Sequence, residues 1–115
     1  HGMEHPASGL KNIVHGQGLA ALTPVIIEAS YKGNREKFSK IARIMGGMTA
    51  EDCATKIRTL LKKLDLDCTL SDLGIKEEDI PWMAENCMKV SAAGVMNNPV
   101  VFLKEEIAEI YRKAL

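Results

Sequence analysis

The sequence predicts an all-α domain, an array of about six helices joined by short connections. Apolar residues recur at intervals of three and four along most of the 115 residues, and no segment shows the alternation typical of a strand. Turn residues separate the helical segments, as at Gly33-Asn34, Gly46-Gly47 and Asn97-Asn98-Pro99. The length fits a single unit, so residues 1–115 are predicted to form one domain.

Local signals bound each predicted helix. Pro6 is expected to kink the first helix and Gly9 to end it, because proline clashes with an earlier carbonyl and glycine favours helix termination. Thr49 and Asp52 resemble a capping box that opens the fourth helix. Leu103 lacks a polar group to cap the last helix, so that end is expected to fray. After the first helix, the sequence predicts five more. The second covers residues 15–31, the third contains Phe38, Ile41, Ala42 and Met45, and the last three cover residues 50–64, 77–90 and 104–114.

Composition argues against several classes of partner. Fifteen basic and fifteen acidic side chains cancel, which removes the electrostatic footprint of a nucleic-acid or membrane-surface protein. No apolar run approaches the ~20 residues of a spanning helix, and the start does not read as a secretory leader. Cys53, Cys68 and Cys87 are odd in number and form no CxxC, which is typical of reduced thiols. A cytoplasmic protein is expected.

The residues suited to chemistry concentrate at the start of the chain. All three histidines, His1, His5 and His15, lie within the first fifteen residues. The i,i+4 step places His1 and His5 on one helix face, and the intervening residues can return His15 toward them. Imidazole is the commonest protein ligand of Fe, Zn, Ni and Cu. The order HGMEH does not match the zinc-protease pattern HExxH, so spacing alone leaves metal ligands and surface or cap histidines both open.

Longer strings carry a family resemblance. The first part of the chain resembles the start of the metal site in the C-terminal helical half of the iron-containing alcohol dehydrogenases. The resemblance lies in HGMEHP, in HG ten residues after the second histidine, and in GLAALTPVIIE. The resemblance continues through LSDLGIKEEDIP and ends in NNPVVFLKEEIAEIYRKAL, so it covers essentially the whole chain. It implies the C-terminal domain of the fold shared with dehydroquinate synthase.

The resemblance also implies a reaction and its site residues. It implies an oxidoreductase that interconverts alcohols with aldehydes or ketones by hydride transfer, using NAD or NADP and a divalent metal, Fe²⁺ or alternatively Zn²⁺. His1 and His15 would then be metal ligands. His5 would be the catalytic and cofactor-binding residue, facing nicotinamide and substrate as a proton relay or as a hydrogen-bonded pocket wall.

Two parts of the family pattern have no counterpart here. The family places an aspartate and a further histidine upstream in its metal site, and a Gly-rich phosphate loop in an N-terminal nucleotide-binding domain. The nine glycines of this chain are scattered, and none forms GxGxxG after a strand-like run. The chain is therefore expected to be a C-terminal fragment, inactive alone, whose partners are the missing nucleotide-binding domain and a small alcohol or aldehyde.

Other interpretations remain open from the sequence. A glycerol dehydrogenase or dehydroquinate synthase-like relative would keep the scaffold with a different metal and substrate. A non-catalytic helical interaction module would bury its apolar faces within the chain. The fragment interpretation, by contrast, predicts an exposed apolar surface around residues 16–21 and 100–102 where the nucleotide-binding domain packed, and this surface is expected to promote self-association into a homo-oligomer.

Overall fold

The computed structural model describes residues 1–115, and every regular element in it is helical. The prediction of an all-α array of six helices is confirmed. Short 3-10 turns at Tyr31–Gly33 and Glu77–Asp79 lead into the third and fifth helices. The helices are α1 (His5–Lys11), α2 (His15–Ser30), α3 (Arg35–Ile44), α4 (Asp52–Lys63), α5 (Ile80–Met96) and α6 (Lys104–Lys113).

Helix α2 lies at the centre of the array, in contact with α1, α4 and α6. Helix α5 packs against α1 and α6, and α3 packs against α4. The main core forms where α1, α2, α5 and α6 meet, with Leu22, Met83, Ile107 and Tyr111 almost fully excluded from water. A smaller core between α3 and α4 contains Phe38, Ala42, Ala50 and Cys53.

Helix α1 differs from its predicted form at both ends. It continues past Gly9 to Lys11 and ends at Asn12, whose φ of 53° is left-handed. Asparagine tolerates that conformation, so glycine is not required there. Pro6 lies in the first turn, where its missing N–H removes no helical hydrogen bond, so the predicted kink was wrong.

Three other helix ends refine the predictions. Asp52 accepts the backbone N–H groups of Met48 and Thr49 at 2.8 and 2.9 Å, which is one half of the predicted capping box. The other half is absent, because the backbone carbonyl of Thr49 and not its side chain accepts the N–H of Asp52, and α4 begins two residues later than expected. Helix α5 runs six residues beyond its predicted end, through a non-helical Ser91. Glu106 accepts the N–H of Leu103 at 3.0 Å and supplies the first-turn contact expected to be missing from α6.

The expected apolar surface is smaller than predicted. Ala20, Ala21 and Phe102 are buried in the chain's own core, whereas Val101 remains exposed. Cys53 and Cys87 are buried as predicted, Cys68 is half-buried, and none is in a disulfide. No helix in the structure combines the length and apolar character needed to cross a bilayer.

Truncation in the main core should be costly. Ile107 is fully buried, so Ile107→Ala should lower the free energy of unfolding by about 2–5 kcal/mol through lost burial and an unfilled cavity. Leu103→Ala, on an exposed leucine next to the same helix, is the control and should change stability by less than about 0.5 kcal/mol. Urea unfolding followed by circular dichroism measures both; equal losses would contradict the core assignment.

Candidate metal centre

The three histidines meet where the N-terminal ends of α1 and α2 adjoin. His5 is the first residue of α1, and His15 is the first residue of α2. His1 lies in the turn before α1. The backbone carbonyl of His1 accepts the N–H of His5 at 3.1 Å, so the two residues have the helical i,i+4 relation that the sequence predicts. One ligand nitrogen from each ring lies within 4.8 Å of the other two, and all three residues are exposed. The convergence expected from the sequence is present.

His1 and His15 have the closest pair of ring nitrogens. His1 Nδ1 and His15 Nε2 are 3.1 Å apart, a distance at which two imidazoles share either a proton or a metal ion. Metal–nitrogen bonds are about 2.0–2.1 Å long, so the two nitrogens lie close enough together to hold one ion. The donor set therefore fits a divalent ion of the Fe or Zn type.

Glu4 lies directly beneath His15 and is fully buried. His15 Nδ1 donates to one carboxylate oxygen of Glu4, and the Ser8 hydroxyl donates to the other. A Cβ added at Gly18 would lie 2.5 Å from that second oxygen, so the glycine in the first turn of α2 leaves room for the carboxylate.

The sequence interpretation missed Glu4, because it considered that residue only as a misplaced metalloprotease base. Three signals were available. Glu4 is the only acidic residue before Glu28, and Ser8 follows it by one helical turn. Its apolar neighbours Met3 and Ala7 would also have indicated a buried position, at which a carboxylate requires hydrogen-bond donors.

Helix α6 anchors the turn that contains His1 and Glu4. The Tyr111 hydroxyl donates to the backbone carbonyl of Met3, across the main core. Burial raises the pKa of Tyr111 far above its usual value, and the neighbouring Cys87 thiol adds to the effect. The hydroxyl therefore stays protonated and keeps donating throughout the neutral range.

A small cleft opens beside His1. Its volume is about 100 Å³, and its wall is formed by the N-terminal turn, α2 and the C-terminal end of α5 with the segment that follows. Most of the wall is apolar or backbone, so the cleft suits a short carbon chain. The lining residues are His1, Gly2, Met3, Ile26, Gly94, Val95, Asn98 and Phe102.

An all-helical domain with histidine nitrogens gathered at two adjoining helix ends defines a class of helical domain with a candidate metal site. Comparison with known proteins is specific within that class. Residues 1–115 match the model of the Fe-containing alcohol dehydrogenase family, C-terminal. The chain belongs to this family and corresponds to its C-terminal domain.

Individual relatives agree with the family. The chain is 37% identical to 1,3-propanediol dehydrogenase of Klebsiella pneumoniae over 122 aligned residues, covering 99% of this chain and 31% of that protein. The structure of an alcohol dehydrogenase from an archaeal halo-thermophile of a Red Sea brine pool superposes with a TM-score of 0.89 at 36% identity, covering 100% of this chain and 32% of the other.

A third relative is the NADH-dependent butanol dehydrogenase A of Thermotoga maritima. Its structure superposes with a TM-score of 0.85 at 28% identity, covering 99% of this chain and 32% of the other. The chain thus spans about a third of the length of the relatives it matches.

The buried tyrosine should make stability fall at alkaline pH. Above pH 10 the unfolded chain loses the Tyr111 proton while the folded chain keeps it, so unfolding is favoured as pH rises. The slope attributable to this group should approach about 1.4 kcal/mol per pH unit. Urea unfolding at several alkaline pH values should show a shallower decline for Tyr111→Phe. Parallel curves for the two proteins would contradict the assignment.

Proposed function

We propose that residues 1–115 form the metal- and substrate-binding domain of an NAD(P)-dependent alcohol dehydrogenase. The reaction interconverts a small alcohol and its aldehyde or ketone by hydride transfer. The observation that carries the proposal is the approach of His1 Nδ1 to His15 Nε2 at 3.1 Å, in a chain that belongs to the iron-containing family.

His1 and His15 are the two metal ligands in this proposal. His15 is the first residue of α2, so the start of that helix fixes its backbone beside the N-terminal turn. A bound divalent ion supplies Lewis acidity to the substrate oxygen. The family name supports Fe²⁺, while the two imidazoles accept Zn²⁺ equally well.

His5 serves the cofactor and substrate side in this proposal, without ligating the metal. Its ring centroid lies 6.1 Å from that of His1 and 5.5 Å from that of His15, and the residue is exposed. No side-chain hydrogen bond holds its ring within the chain. The imidazole is therefore free to accept the substrate's hydroxyl proton and pass it to solvent, which is the role we assign to it.

The nicotinamide cofactor requires residues beyond these. Relatives that span about three times this length include a dehydrogenase named for its dependence on NADH, which supports NAD or NADP as the cofactor. Nothing in residues 1–115 resembles a glycine-rich phosphate loop. We propose that an N-terminal nucleotide-binding domain holds the phosphates and that the histidine cluster faces it across a cleft.

The apolar cleft beside His1 suits a small substrate. Phe102 and Ile26 contribute side chains to its wall, and Gly94 leaves space there. Relatives named for propanediol and butanol support a short-chain alcohol or aldehyde. Membership of the iron-containing family favours this activity over that of a glycerol dehydrogenase or a synthase on the same scaffold.

Metal titration separates the proposed ligands from His5. His1→Ala and His15→Ala should each lower Co²⁺ affinity roughly tenfold or more, because each removes an imidazole from an already incomplete ligand set. His5→Ala is the matched control and should keep the affinity of the parent chain. Co²⁺ absorption spectroscopy measures all three. Equal losses would make His5 a ligand, and an affinity unchanged in all three variants would favour a non-catalytic helical module.

Turnover tests the need for a second domain. The 115-residue chain with added Fe²⁺ or Zn²⁺ should show no NAD(P)H formation from propanediol or butanol, since it lacks the residues that would bind the nucleotide phosphates. Absorbance at the reduced-nicotinamide band monitors the reaction. Measurable turnover that is lost in His15→Ala would contradict the two-domain proposal and make this chain a complete catalyst.

A further inference from the structure

Glu4 is the one charged side chain of the protein that is fully buried. A carboxylate removed from water is costly unless donors satisfy it. Its two oxygens receive hydrogen bonds from His15 Nδ1 and from the Ser8 hydroxyl. A leucine or alanine would fill this position without that cost, so the fold alone does not explain a glutamate here.

The contact with His15 determines which nitrogen of that ring carries the proton. A carboxylate only accepts hydrogen bonds, so Nδ1 must hold the proton that it donates to Glu4. In the neutral ring Nε2 is then unprotonated. Nε2 is also the atom that lies 3.1 Å from His1 Nδ1 and points into the histidine cluster.

We propose that Glu4 is a positioning residue that fixes the tautomer and orientation of His15, so that Nε2 presents its lone pair to the metal ion. This inference rests on the proposed function, because it gives a role to the ligand assigned there. A carboxylate behind a histidine also makes the opposite nitrogen more basic and restrains the rotation of the ring. The Ser8 hydroxyl holds the second oxygen of Glu4 and completes the support.

The absence of a side chain at Gly18 leaves the space that the Glu4 carboxylate occupies. A Cβ at that position would lie 2.5 Å from Glu4 Oε1 and 2.8 Å from Glu4 Cγ. These contacts are shorter than any real Cβ tolerates, so a larger residue at position 18 must displace the carboxylate from beneath His15. Glu4 and Gly18 therefore act as one unit, although they lie on different helical turns.

The first test reads the tautomer without any metal. In ¹⁵N-labelled chain, at a pH where the His15 ring is neutral, NMR should show a proton on Nδ1. Glu4→Leu should redistribute that proton between both nitrogens. Glu4→Gln should keep the proton on Nδ1, because the amide oxygen of glutamine still accepts a hydrogen bond from that nitrogen. The amide NH₂ of glutamine would donate to the Ser8 oxygen, and the Ser8 hydroxyl would then donate to the Ile13 carbonyl 3.1 Å away. Glu105→Gln, on an exposed carboxylate, is the control.

The second test reads metal affinity by Co²⁺ absorption. Glu4→Leu should weaken binding about 10–100-fold, as expected for loss of a carboxylate behind a histidine ligand, with a smaller loss for Glu4→Gln. Gly18→Ala should weaken binding comparably in the parent chain but add little in a Glu4→Ala background, where the clash is gone. Circular dichroism checks that each variant folds. If Glu4→Leu does not fold, Glu4→Gln and Gly18→Ala still provide the comparison.

The results separate this inference from the proposed function. An unchanged His15 tautomer in Glu4→Leu, or Gly18→Ala losses that are the same in both backgrounds, would overturn the role of Glu4. Co²⁺ binding that neither His1→Ala nor His15→Ala weakens would overturn the proposed function, and the NMR measurement would still decide whether Glu4 sets the tautomer.

Discussion

The hydrogen bond from Tyr111 to the Met3 carbonyl holds the N-terminal turn against the helical core, and the geometry of the histidines depends on that attachment. The turn contains no long helix of its own, so residues 1–4 need a partner from elsewhere in the chain. Helix α6 provides it from the other end of the sequence. His1 and Glu4 are thereby placed over the first turn of α2, from which His15 projects. A site contributed by short, sequence-adjacent segments is thus stabilised by the most distant helix.

Charge and burial are balanced at this site in two layers. The upper layer is exposed and consists of the three imidazoles. The lower layer is dry and contains Glu4, whose negative charge faces the ring of His15. A carboxylate hydrogen-bonded to one side of an imidazole restrains the rotation of the ring, so the buried layer holds the orientation of His15 in the exposed layer.

Most of the fold could be predicted from periodicity and turn residues, because α3 and α4 have strong apolar faces and clear stops such as Gly46, whose φ is 85°, separate the helices. The end of α5 was missed because residues 91–94 are small and show no apolar stripe, and only the buried Val95 shows that the helix continues. The meeting of the histidines was predicted from spacing. The role of Glu4 was not, since its contacts with His15 and Gly18 exist only after α1 and α2 have packed.

The unequal exposure of the three cysteines has a practical consequence for spectroscopy. Burial raises the pKa of all three thiols, so none is strongly nucleophilic at neutral pH, yet only Cys68 is within reach of a reagent. Its sulfur lies 3.5 Å from the Gln17 carbonyl, two residues from His15 along α2. A fluorophore or spin label attached there would need no engineered cysteine. Its signal would report the environment of the first turn of α2, close to the histidine cluster but without replacing any histidine.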